Sequence, residues 1–402
     1  MRLRSPASFA TVAAVGVVVA AVAVVVTMVA RAPADDRTPV PQGPRTYGLL
    51  DPTSGQLDAL PATTLTVVTV GAGWATVQPA ADRFDDGALG ALVEQVRAAE
   101  ARGLEVVLDL GLQYPPAWVF DLPGETRFVD QYGQAWHGRS SQDVPNAVFN
   151  PAVRAAQARY VARLGEALRS VPLAGVRIGG LGSGELRYPP PRTAGHDDSL
   201  WAFDAGALAA SPDPSWRPGT GTEAAAREVL TWYFRRLTDY LAFQLDAVTA
   251  ALPGVPQQVL LPSWGLRPGM LDQAVATRFG AATPADVTDL VTAGLDWTGQ
   301  IALLATRPHG VTVYTTWLDA PDNGGSARTE SPVAYLASLA GPAGLPLGGE
   351  NTGGGGTTAW SRTLSQADRY GLRTVMFMSG ELLVDGRAGL TLPQLVAAVG
   401  QR

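Results

Sequence analysis

The chain has 402 residues, of which 46% are hydrophobic and 16% charged, and its net charge is −6 with a pI near 5.2. Such a chain can bury a large core, and its acidity argues against nucleic acid or another polyanion as the main partner. Cysteine and lysine are both absent from the sequence, which excludes disulfides, thiol nucleophiles, a lysine-containing phosphate loop and a Schiff-base lysine.

The N-terminus predicts export from the cytoplasm. Residues 1–10 form a cytoplasmic segment with two arginines, and the apolar run Thr11–Ala30 is long enough to span a bilayer. An Ala-Pro-Ala sequence at 32–34 offers a cleavage site, so 11–30 is either a transmembrane anchor or a signal segment. Residues 31–44, rich in proline and charge, are predicted to be a linker. The domain 45–402 is therefore expected to be extracytoplasmic, either membrane-anchored or secreted.

Apolar strand-like stretches alternate with helical stretches along residues 45–402. The helical pattern is clearest over Asp86–Arg102, after the N-cap Asn150, and from about Thr222 to Leu252. Eight candidate strands are Thr46–Leu50, Thr64–Val70, Glu105–Leu110, Gly175–Gly180, Gln258–Pro262, Val311–Tyr314, Leu345–Gly349 and Thr374–Met378. This alternation predicts an α/β fold, a single (β/α)8 TIM barrel. The alternative, a doubly wound sheet, normally has a phosphate-binding glycine turn after its first strand, and none is visible here.

Two loops and two glutamates carry the predicted chemistry. The long segments Gly111–Phe149 and Glu185–Gly221 follow strands, so both belong to the C-terminal face of the barrel, where catalytic groups lie. Glu185 and Glu350 each follow glycines at a strand end. Glycosidic cleavage requires one carboxylic acid to protonate the leaving oxygen and a second carboxylate to act as nucleophile or to activate water. The alternative for either residue is a solvated charge or an arginine partner.

Tryptophans on the same face favour a carbohydrate ligand, because indole rings pack against the C–H faces of sugars. Some of these tryptophans are expected to be core packing instead. Four follow candidate strands and three lie within loops: Trp74, Trp118, Trp264 and Trp317, and Trp136, Trp201 and Trp360. Further acids at strand ends are Asp109, Asp319 and Glu381.

The segment Gly-Glu-Leu-Arg-Tyr-Pro at 184–189 resembles the general-acid motif of β-amylases, glycoside hydrolase family 14. Gly-Glu-Asn at 349–351 is similar to the β-amylase general-base motif, and segments 74–79, 83–86, 103–108 and 114–119 resemble family 42 β-galactosidases. The likeness covers roughly 46–378 and implies a TIM-barrel glycosidase with Glu185 as general acid and Glu350 as general base. Two departures matter: the cysteine-containing substrate loop of β-amylases is not recognisable, and Gly184 stands where the retaining barrel clan has asparagine.

The sequence therefore predicts a glycoside hydrolase acting on an extracellular oligo- or polysaccharide, inverting and β-amylase-like, without cofactor or metal. A retaining β-galactosidase-like glycosidase, a transglycosylase and a non-catalytic cell-surface carbohydrate-binding barrel remain as alternatives. The predicted substrate contacts are Trp74, Gln78, Asp109, Trp118, Arg187, Tyr188, Trp264, Tyr314, Trp317, Asn351 and Thr352. Arg187 has a second interpretation as the residue that orients Glu185, and a third as a structural ion pair.

Overall fold

The structure is a computed structural model that describes residues 45–52, 57, 60, 63–307, 310–323, 329–353, 356–378 and 391–401. The predictions for segments 1–10, 11–30 and 31–44 and for Glu381 lie outside these residues. Within the part of the chain that the structure describes, every helix is too short or too polar to cross a membrane.

Eight parallel strands close into a barrel in their sequence order, as the alternation of elements predicts. Closure occurs between the first and last strands, where Gly48 is paired with Met376. Each candidate strand of the sequence overlaps one of the observed strands, so the (β/α)8 prediction is confirmed. The strands are β1 Thr46–Leu49, β2 Val67–Gly71, β3 Glu105–Asp109, β4 Gly175–Ile178, β5 Gln257–Leu261, β6 Val311–Thr315, β7 Leu347–Glu350 and β8 Thr374–Phe377.

The helices surround the barrel and begin where their capping residues predict. Asn150 caps its helix by accepting hydrogen bonds from the backbone N–H groups of Ala152 and Val153, and proline occupies the first turn. The described helices are α1 Trp74–Val77, α2 Asp86–Glu100, α3 Pro151–Leu168, α4 Ala205–Ala210, α5 Glu223–Ala251, α6 Met270–Ala276, α7 Ala285–Thr292, α8 Trp297–Ala305, α9 Pro332–Ala340, α10 Gly356–Arg369 and α11 Leu392–Gly400. Short 3₁₀ turns at Ala117–Asp121, Ser140–Gln142 and Gly182–Gly184 lie in the loops after β3 and β4.

Apolar side chains form two separate cores, because successive strand residues point to opposite faces of the barrel wall. The larger core lies between the strands and the helices. The smaller one fills the barrel interior and consists of Leu50, Val67, Val107, Leu260, Tyr314 and Met376. The same alternation places Asp109, two residues after Val107, toward the interior at the end of β3. The carboxyl end of the barrel interior is therefore polar, which positions the site.

Candidate active site

A compact glycine loop delivers Glu185 beyond the end of β4. The Gly180 N–H donates to the Gly184 carbonyl at 3.2 Å, and the Leu181 N–H donates to the Glu185 carbonyl at 3.2 Å. Gly184 has a φ of 76°, and a Cβ atom placed there would lie 3.2 Å from Nε2 of Gln113. Glycine meets both demands, since it adopts positive φ without strain and adds no side chain against Gln113.

The Glu185 carboxyl is held on both oxygens while little of it is exposed. The Thr316 hydroxyl donates to Oε1 at 2.8 Å, and Nε of Arg187 donates to Oε2 at 2.8 Å. Only 14% of the Glu185 side chain is exposed. Burial raises the pKa of Glu185 above its ordinary value, although Arg187 and Thr316 act in the opposite direction and Glu350 acts in the same direction. The effect of burial is the largest of these, so the pKa of Glu185 is raised, as a proton donor near neutral pH requires.

Arg187 is itself held by the loop that follows β3. Its Nη2 atom donates to Oε1 of Gln142 at 3.3 Å, while Nε2 of Gln142 donates to the Ser183 hydroxyl. The ion pair between Arg187 and Glu185 fits both the orienting interpretation and that of a structural ion pair. Two long loops, predicted to be functional from their length and composition, meet at the contact between Arg187 and Gln142.

Glu350 ends β7 and lies in a different electrostatic environment. Arg177 of β4 donates from Nη1 to Oε2 at 2.8 Å and from Nη2 to Oε1 at 3.2 Å, which is a two-pronged ion pair. The pair is buried, with 8% of the Arg177 side chain and 2% of the Glu350 side chain exposed. Burial disfavours the charged guanidinium and is the largest single effect, but the charge of Glu350 and its hydrogen bonds, together with Tyr314 and Asp109, outweigh burial and raise the pKa of Arg177. The positive charge of Arg177 compensates the negative charge of Glu350.

Asp109 and Tyr314 complete the surroundings of Arg177. Oδ2 of Asp109 lies 4.0 Å from Nε of Arg177, and the guanidinium carbon lies 5.2 Å from the centre of the Tyr314 ring. Asp109 also accepts from the amide of Gln113 at 3.3 Å and from the Gly111 N–H at 2.8 Å. Burial, followed by the charge of Glu350, raises the pKa of Tyr314 well above its ordinary value, so this phenol stays neutral.

A cavity of about 490 Å³ opens at the carboxyl ends of β1, β2 and β3. That volume lies within the range of small-molecule pockets. Neither Glu185 nor Glu350 lines the cavity, but Asp109 does, and Asp109 adjoins Arg177. The polar and aromatic lining includes Asp51, Thr69, Asp109, Gln113 and Tyr114.

Several predicted substrate contacts do lie near Glu185 or in the loops around the mouth. Trp317 follows Thr316 directly, and 37% of it is exposed, which leaves an indole face for a ligand. Trp118 and Trp264 are half-buried. Of the predicted acids, Asp109 lines the cavity, whereas Asp319 accepts from both the N–H and the hydroxyl of Thr352, at 2.9 and 2.8 Å.

Other predicted contacts are wrong, because the side chains are buried in the protein. Trp74 is fully buried, packed edge-on against Trp118, and its indole N–H donates to Gln78, which is also fully buried. Tyr188 stacks on Tyr233 with 4.1 Å between ring centres, so neither of its faces is free. These residues hold the loops in place and present no surface to a sugar.

The remaining corrections follow from the same cause. Tyr314 lies inside the barrel beneath the site and does not line an open cleft. Asn351 is buried, and its Oδ1 accepts from the Met378 N–H at 2.8 Å, which fastens β7 to the end of β8, while its Nδ2 has no hydrogen-bond partner among the described residues. Core packing of some tryptophans was expected, and three further ones are buried: Trp136, Trp201 and Trp360.

Sequence reasoning missed three residues of the site, of which one carried a readable signal. Arg177 is a charged residue inside the apolar run 173–178, and a charge within a buried strand requires a partner. Asp51 lies two residues beyond the end of β1, and the same strand-end argument that selected Asp109 applies to it. Thr316 carries no signal, because a threonine at the end of a strand is ordinary.

Comparison of the sequence with protein-family models and with curated proteins gives no match. Among solved structures, the catalytic domain of β-amylase from Paenibacillus polymyxa is similar at 17% identity and a TM-score of 0.69, over 88% of this chain and 97% of that one. Two β-galactosidases are also similar, and this chain spans about half of their length. One, from the psychrophilic Marinomonas ef1, has 15% identity and a TM-score of 0.56 over 83% of this chain and 53% of its own. The other, the family 42 enzyme Gan42B, has 14% identity and a TM-score of 0.58 over 91% and 57%. The TM-scores show that this chain shares its fold with these structures, and at such low identities the likeness shows the fold alone.

Proposed function

We propose that this chain is a glycoside hydrolase that cleaves O-glycosidic bonds of an oligo- or polysaccharide. The observation that carries the proposal is the contrast between two glutamates at the ends of β4 and β7. Burial favours the protonated form of Glu185, whereas the guanidinium of Arg177 compensates the charge of Glu350. A carboxyl group whose surroundings favour the protonated form, together with a second carboxylate held in an ion pair, is suited to act as acid and base.

In the proposed reaction Glu185 donates its proton to the glycosidic oxygen as the bond from that oxygen to the anomeric carbon breaks. A water molecule attacks the anomeric carbon and transfers its proton to Glu350. Thr316 suits this cycle, because a hydroxyl can donate to the carboxylate form of Glu185 and accept from the acid form. Arg187 stabilises the carboxylate that remains after proton transfer. These steps call for no cofactor or metal.

Inversion of the anomeric centre is the stereochemical outcome we propose. It is supported by the fold shared with a β-amylase and by Gly184, which stands where the retaining clan has asparagine. The substrate is expected to contact the exposed ring of Trp317 and the polar cavity that contains Asp109 and Tyr114.

The test is a screen of the purified full-length protein against α- and β-linked glucans, galactans and their oligosaccharides, with reducing ends as the readout. For any glycan that is cleaved, NMR of the first-formed product identifies its anomer. Inversion predicts an anomer opposite to that of the bond cleaved, and the same anomer would assign a retaining mechanism. Binding of a glycan without turnover of any member would replace the proposal with the carbohydrate-binding alternative.

We also propose that residues 11–30 carry the domain out of the cytoplasm, as an anchor or as a cleaved signal. The support is the apolar run with its preceding arginines. Protease added to intact cells that express the full chain should digest the domain, or the domain should be recovered in the medium. Protection of the domain inside intact cells would contradict this location.

A further inference from the structure

The ion pair between Arg177 and Glu350 has an unusual position for a stabilising contact. Both side chains are almost fully buried at the carboxyl end of the barrel, where the site lies. Burying two charges costs desolvation that their attraction often fails to recover, and an apolar pair of similar volume is commonly as stable. Stability alone therefore accounts poorly for an arginine on β4 at this place.

The geometry of the pair fixes the plane of the Glu350 carboxylate. Two parallel N–H···O bonds, at 2.8 and 3.2 Å, allow one orientation, which a single point charge does not impose. A carboxylate has about four acceptor positions on its two oxygens, and the fork occupies one on each oxygen. The Tyr314 ring, with its centre 5.2 Å from the guanidinium carbon, packs against the arginine.

The charged and titratable groups around the pair come from several strands. Asp109 at the end of β3 is 4.0 Å from Nε of Arg177, Tyr314 comes from β6, and both Glu185 and Asp51 interact electrostatically with Glu350. The carboxylates in this group carry like charges that repel one another, and Arg177 supplies a compensating positive charge.

We propose that Arg177 is a positioning residue for the reaction, which orients Glu350 and compensates its negative charge, so that Glu350 is placed to accept a proton from water. The proposal rests on the proposed function, in which Glu350 is the base. It assigns Arg177 a role in the pH dependence and in the turnover rate, rather than in substrate affinity.

Two substitutions separate the effect of the positive charge of Arg177 from its effect on the orientation of Glu350. Arg177→Gln removes the cation, so Glu350 should remain protonated to higher pH than in the wild type. Arg177→Lys keeps a positive charge without the planar fork. The acidic limb of its pH–kcat profile should therefore stay close to that of the wild type, while kcat falls by about 10- to 100-fold and KM changes little. The matched control is Arg267→Gln, since Arg267 is a buried arginine that pairs with Glu330 at 3.2 Å and lies over the ring of Tyr335. The substitution Arg267→Gln should leave both the acidic limb of the pH–kcat profile and the titration of Glu350 unchanged.

The readout that does not depend on turnover is ¹³C NMR of protein labelled at the glutamate side-chain carboxyl, with the Glu350 signal assigned by its loss in Glu350→Gln. A titration of Glu350 at higher pH in Arg177→Gln than in the wild type supports the proposal, and an unchanged titration overturns it. If the wild type cleaves no glycan, the proposed function fails while this titration still decides the electrostatic role of Arg177. If Arg177→Gln does not fold, Arg177→Lys decides the matter through its kcat on a glycan that the wild type cleaves. A wild-type kcat in that variant would overturn the orienting role.

Discussion

Replacing Thr316 with valine tests the environment of Glu185 without large changes in shape. Thr316 is buried, and its hydroxyl donates to Oε1 of Glu185 at 2.8 Å. A hydrogen bond to a charged group contributes about 1.5–3 kcal/mol, and one between neutral groups about 0.5–1.5 kcal/mol. The cost of Thr316→Val should therefore depend on whether Glu185 is ionised.

The sign follows from the raised pKa of Glu185. Because its pKa in the folded protein lies above the ordinary value of 4.5, the contribution of this carboxyl to stability is full at low pH and is lost as pH rises through the folded-state value. Removing Thr316 raises the pKa further, since its hydrogen bond favours the charged form. The free energy of unfolding should thus fall by about 1.5–3 kcal/mol near pH 8, but by only about 0.5–1.5 kcal/mol near pH 4.

Urea denaturation at both pH values measures the difference, with Thr363→Val as control. Thr363 is also buried, but its hydroxyl donates to the Ala359 carbonyl at 2.9 Å, and this partner does not titrate. The control should lose equal stability at the two pH values. A Thr316→Val cost that is equal at both pH values, or larger at low pH, would refute the electrostatic assignment of Glu185.

Two further predictions separate backbone and aromatic roles. Gly184→Ala should lower the free energy of unfolding by about 1–2 kcal/mol because of its positive φ. Gly90→Ala, with open space around it on α2, should instead raise it by about 0.5–1 kcal/mol. Equal effects of the two substitutions in urea denaturation would contradict the need for glycine at 184. Trp317→Ala should keep the wild-type melting temperature and raise KM for a cleaved glycan, because the ring is exposed. Trp74→Ala should instead cost about 3–5 kcal/mol of stability, as expected for a buried ring; a wild-type melting temperature there would contradict the assigned burial.

The sequence predicts the fold more completely than the site, for physical reasons. Strand and helix positions follow from apolar periodicity and from caps such as Asn150, which are local signals. Strand order then follows from the barrel, so Glu185 and Glu350 are assigned to one face without knowledge of the structure. Burial is not local, and this is why Trp74 and Tyr188 look like sugar platforms in the sequence but are covered by other aromatic rings.

The contact partners of Glu185 and Glu350 were likewise only partly predictable from the sequence. Arg187 lies two residues from Glu185, so its contact is foreseeable from the chain alone. Thr316 and Arg177 reach their glutamates across the barrel, separated by 131 and 173 residues in sequence, and only the register of the strands brings them together. A charged residue within the apolar strand β4 was the visible sign of the second of these contacts.

The most direct test of the separate roles of Glu185 as acid and Glu350 as base compares a natural leaving group with an activated one. The substrates are a glycan that the wild type cleaves and the glycosyl fluoride of the same sugar, whose departure needs little help from an acid. Glu185→Gln should lose about 10²- to 10⁴-fold in kcat on the glycan but far less on the fluoride. Glu350→Gln should lose activity on both, because activation of water is common to the two reactions. Equal losses by Glu185→Gln on the two substrates, or wild-type activity on the glycan, would contradict the assignment of Glu185 as the acid.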